Sequence, residues 1–577
     1  MNVLRKTPRP AAFLLRPAAA AVVALLTAPV GAAEIDVGNP DVRLNWDNTV
    51  KYSAAARVGK PDAALLAAPN TDDGNRNFGR GLVSNRVDLL SEMDLQYQNV
   101  GLRVSAAAWY DSVYNGRNDN PGFAGGAFPN QVSAPYSEFS DATRKLHGRK
   151  AELLDAFAFG TFELGETRLS VRAGRHAVQW GESLFYGANA IAGAQGPVDV
   201  VKGASVPGTQ FKELIRPVPQ LSAQWQVDSR LSLGGYYQFR WEANRLPGAG
   251  SYFSTVDGEQ ILLPQAAQGG PFLDGNAPMV ADLQAKDSGQ GGVQMRYRGD
   301  DTDYGAYLVR FHNKGFQQVP NLGVRSVIYV PGPGCVVPGS FATGPASCGL
   351  VAPGSSRLVY HEGITALGFS ASRTFESVNL AGELSYRHNM DLASTRGVDA
   401  SAVGGPATNN SDNPAYAVGN TLHLNVSTLW TVPSTPLFKE ASLAGEIAWN
   451  RVLKVTKNPG AVDPNATRDA VALRMVFEPT YRQVATGLDI GVPIGLGWSP
   501  KGSRSMALGP GAMPADGGGD FSIGINAAYL DVWRFSVAYT HYFGKADTFL
   551  TGSDNSFSYK QSLKDRDFIS VSLRRSF

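Results

Sequence analysis

One segment of the chain concentrates the residue types that could act on ions or solutes. Between residues 180 and 217, acidic and basic side chains alternate closely with a tryptophan and several glycines. Mixed charges at this spacing could pair with groups across a pore and set its width and selectivity. The candidate residues for such a constriction are Trp180, Glu182, Asp199, Lys202, Lys212, Glu213 and Arg216.

Catalytic chemistry finds little support in the same residues. The seven histidines are scattered, none stands in an HExxH pattern, and no GxSxG elbow precedes a predicted helix. His176, Glu182 and Ser183 come nearest to a hydrolase set, but closeness in sequence is weak evidence, and a hydrogen-bonded wall histidine is the favoured interpretation. We therefore predict no enzyme, no cofactor and no metal site.

Two cysteines, Cys335 and Cys348, lie in a stretch rich in proline and glycine. In an oxidising compartment they could pair and close a loop tip. The alternative is two unpaired thiols in a loop. The disulfide is the favoured prediction.

The N-terminus has the pattern of a secretory signal peptide, which we assign to residues 1–33. A leader with four cationic residues precedes an apolar run and then small residues, and the run is too short to span a bilayer as a helix. Removing those four from the 52 Lys and Arg residues leaves 48 basic residues against 50 acidic ones, so the net charge of the remainder is about −2. This balance gives no electrostatic reason to expect a nucleic-acid partner.

The remainder, residues 34–577, repeats one theme. Segments of alternating apolar and polar residues are separated by connections rich in Gly, Asp, Asn and Pro, as in β-strands with two different faces. Residues 231–242 show this clearly, and so do the last ten residues, which end on Phe577. A terminal amphipathic strand with a final aromatic resembles the signal read by the barrel assembly machinery of Gram-negative bacteria, so Phe577 is the predicted assembly signal.

Strand length and loop length favour a membrane barrel over a soluble sandwich. The segments are long enough to cross a bilayer when tilted, and short connections alternate with long ones. We count 18 strands, with 16 as the alternative, and predict a closed antiparallel transmembrane β-barrel with short periplasmic turns and long extracellular loops. The tenth strand is expected near Leu358, and the fifteenth near Tyr481 after a turn at residues 479–480.

In such a barrel the polar face of each strand lines the lumen. This alternation predicts a set of inward-facing charged residues of both signs, from which no ion preference follows. The lumen-facing candidates are Arg172, Arg240, Glu242, Arg310, Glu383, Arg474 and Arg534.

Four short motifs carry a resemblance to a known family. They are GRHAVQWGES at 174–183, PVDV at 197–200, PGTQFKE at 207–213 and RPVP at 216–219. With them the chain resembles the proteobacterial outer-membrane family catalogued as domain of unknown function 1302. The resemblance implies an outer-membrane barrel, often accompanying genes for handling hydrophobic compounds, and it identifies no functional residue.

Two interpretations of residues 180–217 stay open, a constriction loop folded into the lumen and a structural belt at the rim. The first predicted function is porin-like passage of small molecules, including hydrophobic or aromatic ones. The alternative is a non-transporting scaffold or lipid-binding barrel that partners an envelope complex. Expected partners are outer-membrane lipid, lipopolysaccharide and the barrel assembly machinery. The solute and the oligomeric state stay open.

Overall fold

The computed structural model describes residues 33–122, 130–205, 214–262, 276–324, 351–552 and 554–577. The predicted signal peptide, apart from its last residue, and both cysteines lie outside these residues. No helix of the described part is long and apolar enough to cross a membrane.

The chain forms a closed antiparallel barrel of 18 strands, as the sequence predicts. Each strand pairs with the next along the chain, and the last closes the ring by pairing with the first, Ser576 opposite Thr49 and Phe568 opposite Arg57. A three-residue strand, Ala33–Ile35, pairs with the start of the first strand beyond the end of the last. The strands are β1 (Val42–Arg57), β2 (Gly81–Tyr97), β3 (Val100–Asp111), β4 (Arg149–Leu164), β5 (Thr167–His176), β6 (Val218–Gln226), β7 (Leu231–Gln238), β8 (Gln290–Arg298), β9 (Thr302–Phe311), β10 (Ile364–Phe375), β11 (Val378–Asp391), β12 (Val418–Val432), β13 (Glu440–Lys457), β14 (Asp469–Ala485), β15 (Leu488–Gly491 continued by Ile494–Trp498), β16 (Gly519–Tyr529), β17 (Trp533–Phe543) and β18 (Phe568–Ser576).

Alternation along the strands produces two different surfaces. On β11, Leu380, Leu384 and Tyr386 are exposed on the outer face, whereas Glu383 and Arg387 are buried on the inner face. Closure pairs backbone groups between neighbouring strands without leaving an edge, which is the condition for a sheet in lipid. The apolar residues therefore form the outside of the barrel and the polar residues its inside.

The connections alternate in length as predicted. Turns after even-numbered strands are short, for example residues 165–166 and 376–377, and loops after odd-numbered strands are long, for example residues 177–217. The short helices lie in the long loops: Ala63–Leu66, Asp73–Arg76, Asp141–Thr143, Arg144–Gly148, Gly187–Asn189, Ile191–Ala194, Val200–Ser205, Ser401–Val403 and Pro459–Ala461. Two two-stranded hairpins also lie there, Gln260–Leu262 with Asn276–Pro278 and Gln317–Val324 with Val351–Val359.

Two predicted strand starts were wrong. The alternating segment near Leu358 belongs to the loop hairpin of Gln317–Val324 and Val351–Val359, so β10 begins only at Ile364. The turn expected at residues 479–480 lies instead at residues 486–487, and Tyr481 is part of β14. Proline has no backbone N–H to donate to the hydrogen-bond ladder between strands. Opposite Pro479, β15 is therefore interrupted at residues 492–493, but the hairpin of β14 and β15 continues beyond this point.

Substitutions on the two faces of one strand test which face of the barrel meets lipid. Ile525, near the middle of β16, is 46% exposed on the apolar face, and its neighbour Asn526 points inward and donates to Glu478 Oε1 at 3.1 Å. An arginine on a lipid face costs about 2–4 kcal/mol at mid-membrane. Ile525→Arg should lower the free energy of unfolding in lipid vesicles by about that amount. Asn526→Arg should change it little. Equal effects in urea titrations would contradict this placement of the two faces.

Candidate functional site: a loop across the lumen

The loop after β5 leaves its own wall and crosses the inside of the barrel. Within its first described part, residues 177–205, residues 182–191 pack against β11, β12 and β13, which lie almost opposite β5 in the ring. Gly181 begins the crossing at φ +94°, and a Cβ there would lie 2.2 Å from Glu383 Oε2, so only glycine fits. Trp180, just before it, packs its ring against Tyr236 with centroids 5.0 Å apart.

Two buried carboxylates on the far wall hold the loop by its backbone. Glu383 of β11 accepts from the amides of Glu182 at 2.9 Å and Ile191 at 2.5 Å. Glu446 of β13 accepts from three consecutive amides, at residues 184–186, and from Ser183 Oγ at 2.8 Å. These bonds satisfy amide groups that would otherwise be buried without partners. Charge on the acceptor makes each bond stronger than a neutral one.

Backbone carbonyl groups of the loop and the side-chain amide of one loop asparagine complete the attachment to the far wall. Arg387 donates to the carbonyl oxygens of Ala188 at 3.0 Å and Ala190 at 2.9 Å. The Asn189 side chain, 1% exposed, donates to Asn425 Oδ1 at 2.9 Å and accepts from Asn450 Nδ2 at 3.0 Å. Its amide therefore sits in a socket formed by the inner faces of β12 and β13.

An apolar cluster fills the angle between this loop and the wall of β7 to β11. Ile191 and Ala194 of the loop are buried against inward side chains of those strands. This half of the lumen is therefore packed and dry. The wall residues of the cluster are Tyr236, Tyr307, Val309, Phe311, Ile364, Ala366 and Met390.

The second half of the loop is tied to the rim near its origin by ion pairs. Asp199 lies 2.8 Å from Arg245, which also pairs with Glu152 of β4. Arg216 lies 3.3 Å from Glu242, whose carboxylate also pairs with Arg175. The charged residues 199 and 216 thus fasten the loop to its own side of the barrel.

Several predicted site residues lie where the strand pattern places them. Glu383 and Arg474 point inward, the latter 2.5 Å from Asp520 Oδ1. Arg172 and Arg534 are also inward, and both are exposed to the lumen. Lys202 is an exposed residue of the short helix Val200–Ser205.

Other predicted placements need correction. Arg310 is on the outer face, in line with Leu308, since the inward residues of β9 are Val309 and Phe311. Arg240 lies beyond the end of β7 and Glu242 at the rim, so neither lines the barrel wall. Three of the loop charges pair elsewhere than with Arg172, Arg240 or Arg310: Glu182 lies 3.7 Å from Arg296, Asp199 pairs with Arg245, and Arg216 pairs with Glu242. Lys212 and Glu213 lie outside the described residues.

His176 is a wall histidine with two ordinary partners. Its Nε2 lies 2.7 Å from Ser222 Oγ and its Nδ1 lies 3.1 Å from the Gly174 carbonyl oxygen. Ser183, the imagined nucleophile, donates instead to Glu446. The hydrogen bonds of His176 and Ser183 therefore do not assemble a triad from the three residues considered in the sequence.

Sequence reasoning missed three of the residues that fasten the loop to the far wall. Glu446, Arg387 and Asn189 gave no motif, although strand alternation places Glu446 and Arg387 on the inner face. Two inward acidic residues on strands two positions apart in the ring, Glu383 on β11 and Glu446 on β13, were the available signal.

A second charged cluster lies among the long loops, outside the strands. Asp72 and Asp73 of the β1–β2 loop meet Asp257 of the β7–β8 loop, and one oxygen of each lies within 4.8 Å of the others. Burial raises the pKa of Asp73 to about 7 and the pKa of Asp257 well above its ordinary value. We predicted no metal site from the sequence. This cluster could not be recognised there, because its members are far apart along the chain.

The sequence model of a family described as "Protein of unknown function (DUF1302)" matches residues 14–577. A search of curated proteins finds no match. Among solved structures, OccAB4 of Acinetobacter baumannii is similar at 9% identity and a TM-score of 0.41, over 93% of this chain and 100% of that one. OpdK of Pseudomonas aeruginosa, solved with vanillate, has 10% identity and a TM-score of 0.37, over 92% and 98%. The outer membrane channel DcaP of Acinetobacter baumannii has 7% identity and a TM-score of 0.36, over 95% and 100%.

The start of the crossing can be tested by adding one methyl group. Gly181→Ala would push against the Glu383 carboxylate, so the amides of Glu182 and Ile191 should lose protection from hydrogen exchange. Gly502→Ala is the matched control, since Gly502 has a similar φ of +88° but open space around its Cα. Loss of protection at residues 182 and 191 in both variants would show that the contact with Glu383 is not what holds the loop.

The loop cluster should respond to pH. Because the folded-state pKa of Asp73 is raised, the stability tied to its bound proton is complete below about pH 4 and is lost as pH rises through about 7. Exchange protection of residues 72–77, corrected for intrinsic rates and measured with EDTA, should fall between pH 5.5 and 8.5. Asp73→Asn should flatten this dependence. Asp399→Asn is the control, since hydrogen bonds from Ser401 and Thr408 outweigh burial and lower the pKa of Asp399 to about 2. An unchanged pH dependence in Asp73→Asn would refute the assignment.

Proposed function

We propose that this chain, which belongs to the DUF1302 family, is an outer-membrane channel for the passive passage of small molecules. The observation that supports this most is the loop of residues 177–205, which crosses the lumen and is fastened to the far wall. A loop in this position narrows the passage without being part of the wall. In the membrane, the apolar outer face would meet lipid, and the long-loop end would face outward.

The rest of the lumen wall supports an aqueous path. Inward-facing Arg172, Arg534 and Arg574 are exposed, in contrast to the packed half behind the loop. Acidic side chains are interspersed, as where Arg103 pairs with Glu92 at 2.6 Å. The passage therefore runs between the loop and the wall formed by β17, β18 and β1 to β5.

The solutes we propose are small and include aromatic compounds. On the open side, Arg86 lies over the Trp109 ring at 4.6 Å from its centroid, and Arg172 lies over Phe157 at 5.7 Å. These guanidinium planes can stack with an aromatic solute while hydrogen-bonding its polar groups. Family resemblance to proteins accompanying the handling of hydrophobic compounds agrees with this choice.

Single-channel conductance in planar bilayers tests the proposal. The protein should conduct, and deletion of residues 187–195 should enlarge the conductance because the crossing segment is shortened. Glu383→Gln combined with Glu446→Gln should give noisier and larger openings, since the neutral amides hold the loop less firmly. Glu478→Gln is the matched control, an inward carboxylate that bonds Asn526 and not the loop.

An absence of conductance can be interpreted only when the barrel is known to be folded. Heat-modifiable gel mobility provides that check. No conductance from either the intact protein or the deletion variant would overturn the channel. It would favour the alternative, a scaffold or ligand-binding barrel, in which the packed half behind the loop would be part of a closed interior.

A further inference from the structure

The outer surface carries a polar row that the channel proposal does not use. At the long-loop ends of β9 to β13, Arg310, Thr365 and His388 are neighbours on consecutive strands. His388 Nδ1 lies 3.1 Å from Asn420 Oδ1, and Asn420 is opposite Lys454. Arg310, His388 and Lys454 are all exposed. We call these five residues the rim row.

The nearby carboxylates are already engaged by other cations. Glu362 pairs with Lys286 at 3.0 Å, and Asp469 pairs with Arg451 at 3.2 Å. Among the residues that the structure describes, neither Arg310 nor Lys454 forms an ion pair, so their charge is available to an external anion.

Directly below the rim row the surface becomes apolar. One step down the strands come Leu308, Leu367, Tyr386 and Leu422, paired side by side on the same outer face. The rim row thus marks the upper edge of the apolar band. A cation at this height meets the headgroup region of a bilayer leaflet.

Further down the same strands lies a groove of about 490 Å³. Its floor consists of small residues, Ala306, Ala371 and Gly382, which are outward on β9, β10 and β11. Its sides are large exposed side chains, among them Tyr304 and Phe369. Ala306 is four residues below Arg310, or ~13 Å along the strand, which is within the ~15 Å depth of one leaflet's hydrocarbon.

We propose that the rim row and the groove together bind one phosphorylated glycolipid of the outer leaflet, of the lipid A class. Arg310, His388 and Lys454 would together hold the headgroup phosphates, for which the guanidinium fork is well shaped. One acyl chain would lie over the small residues of the groove. The inference rests on the proposed membrane placement and is independent of conduction.

Native mass spectrometry of the folded protein with added diphosphoryl lipid A tests the site. Arg310→Gln combined with Lys454→Gln should weaken binding about tenfold, the loss expected from removing charge-assisted hydrogen bonds. Lys439→Gln is the matched control, an exposed lysine at the short-turn end next to β13. Equal binding by the double variant and the wild type would overturn the phosphate site.

The groove is tested separately by filling it. A Cβ at Gly382 would have open space, with its nearest neighbour at 4.0 Å, so Gly382→Leu should fold and displace the acyl chain. Weaker lipid A binding than in Ala527→Leu, a small outward residue on β16, would support the groove. Unchanged binding would exclude it. Equal retention of phosphatidylethanolamine would show a general lipid annulus and overturn the assignment to a phosphorylated glycolipid.

Discussion

The structure inside the barrel depends on one constraint, the need to satisfy a polypeptide backbone that crosses a lumen away from any sheet. Residues 182–191 have no strand beside them to accept their amides. Glu383 and Glu446 take this role by collecting several amides on single carboxylates, and Arg387 does the same for carbonyl oxygens. A carboxylate can accept about four hydrogen bonds, so two side chains are enough to fix the path of the crossing segment.

This attachment divides the interior into two unlike halves. Behind the loop, Ile191 and the inward aromatic and aliphatic residues of β7 to β11 exclude water. In front of it, the side chains of Arg172, Arg534 and Arg574 are exposed to the lumen. The difference follows from the position of the two carboxylates. Because they lie almost opposite β5, the loop must cross the barrel to reach them, and its side chains then cover the inner wall next to the crossing.

The barrel itself could be predicted from the sequence because its rules are local. Period-two alternation defines the faces, and alternating loop lengths define the ends, so 18 strands could be counted with two of the starts displaced. Those errors arose where the local pattern was ambiguous. The segment at Leu358 alternates like a barrel strand but pairs with another part of its own loop, and Pro479 interrupts a ladder without ending a hairpin.

The loop site was harder to predict from the sequence, because its contacts join residues that lie between 192 and 263 positions apart. Composition showed that residues 180–217 were unusual, but not that their amides would meet Glu446. The error at Arg310 has a different cause. Near the membrane boundary, polar residues occur on both faces of a strand, since the outer face there meets lipid headgroups and no longer acyl chains. Polarity alone therefore stops indicating the lumen at that height, and only the continuous register from Leu308 to Arg310 places the arginine outside.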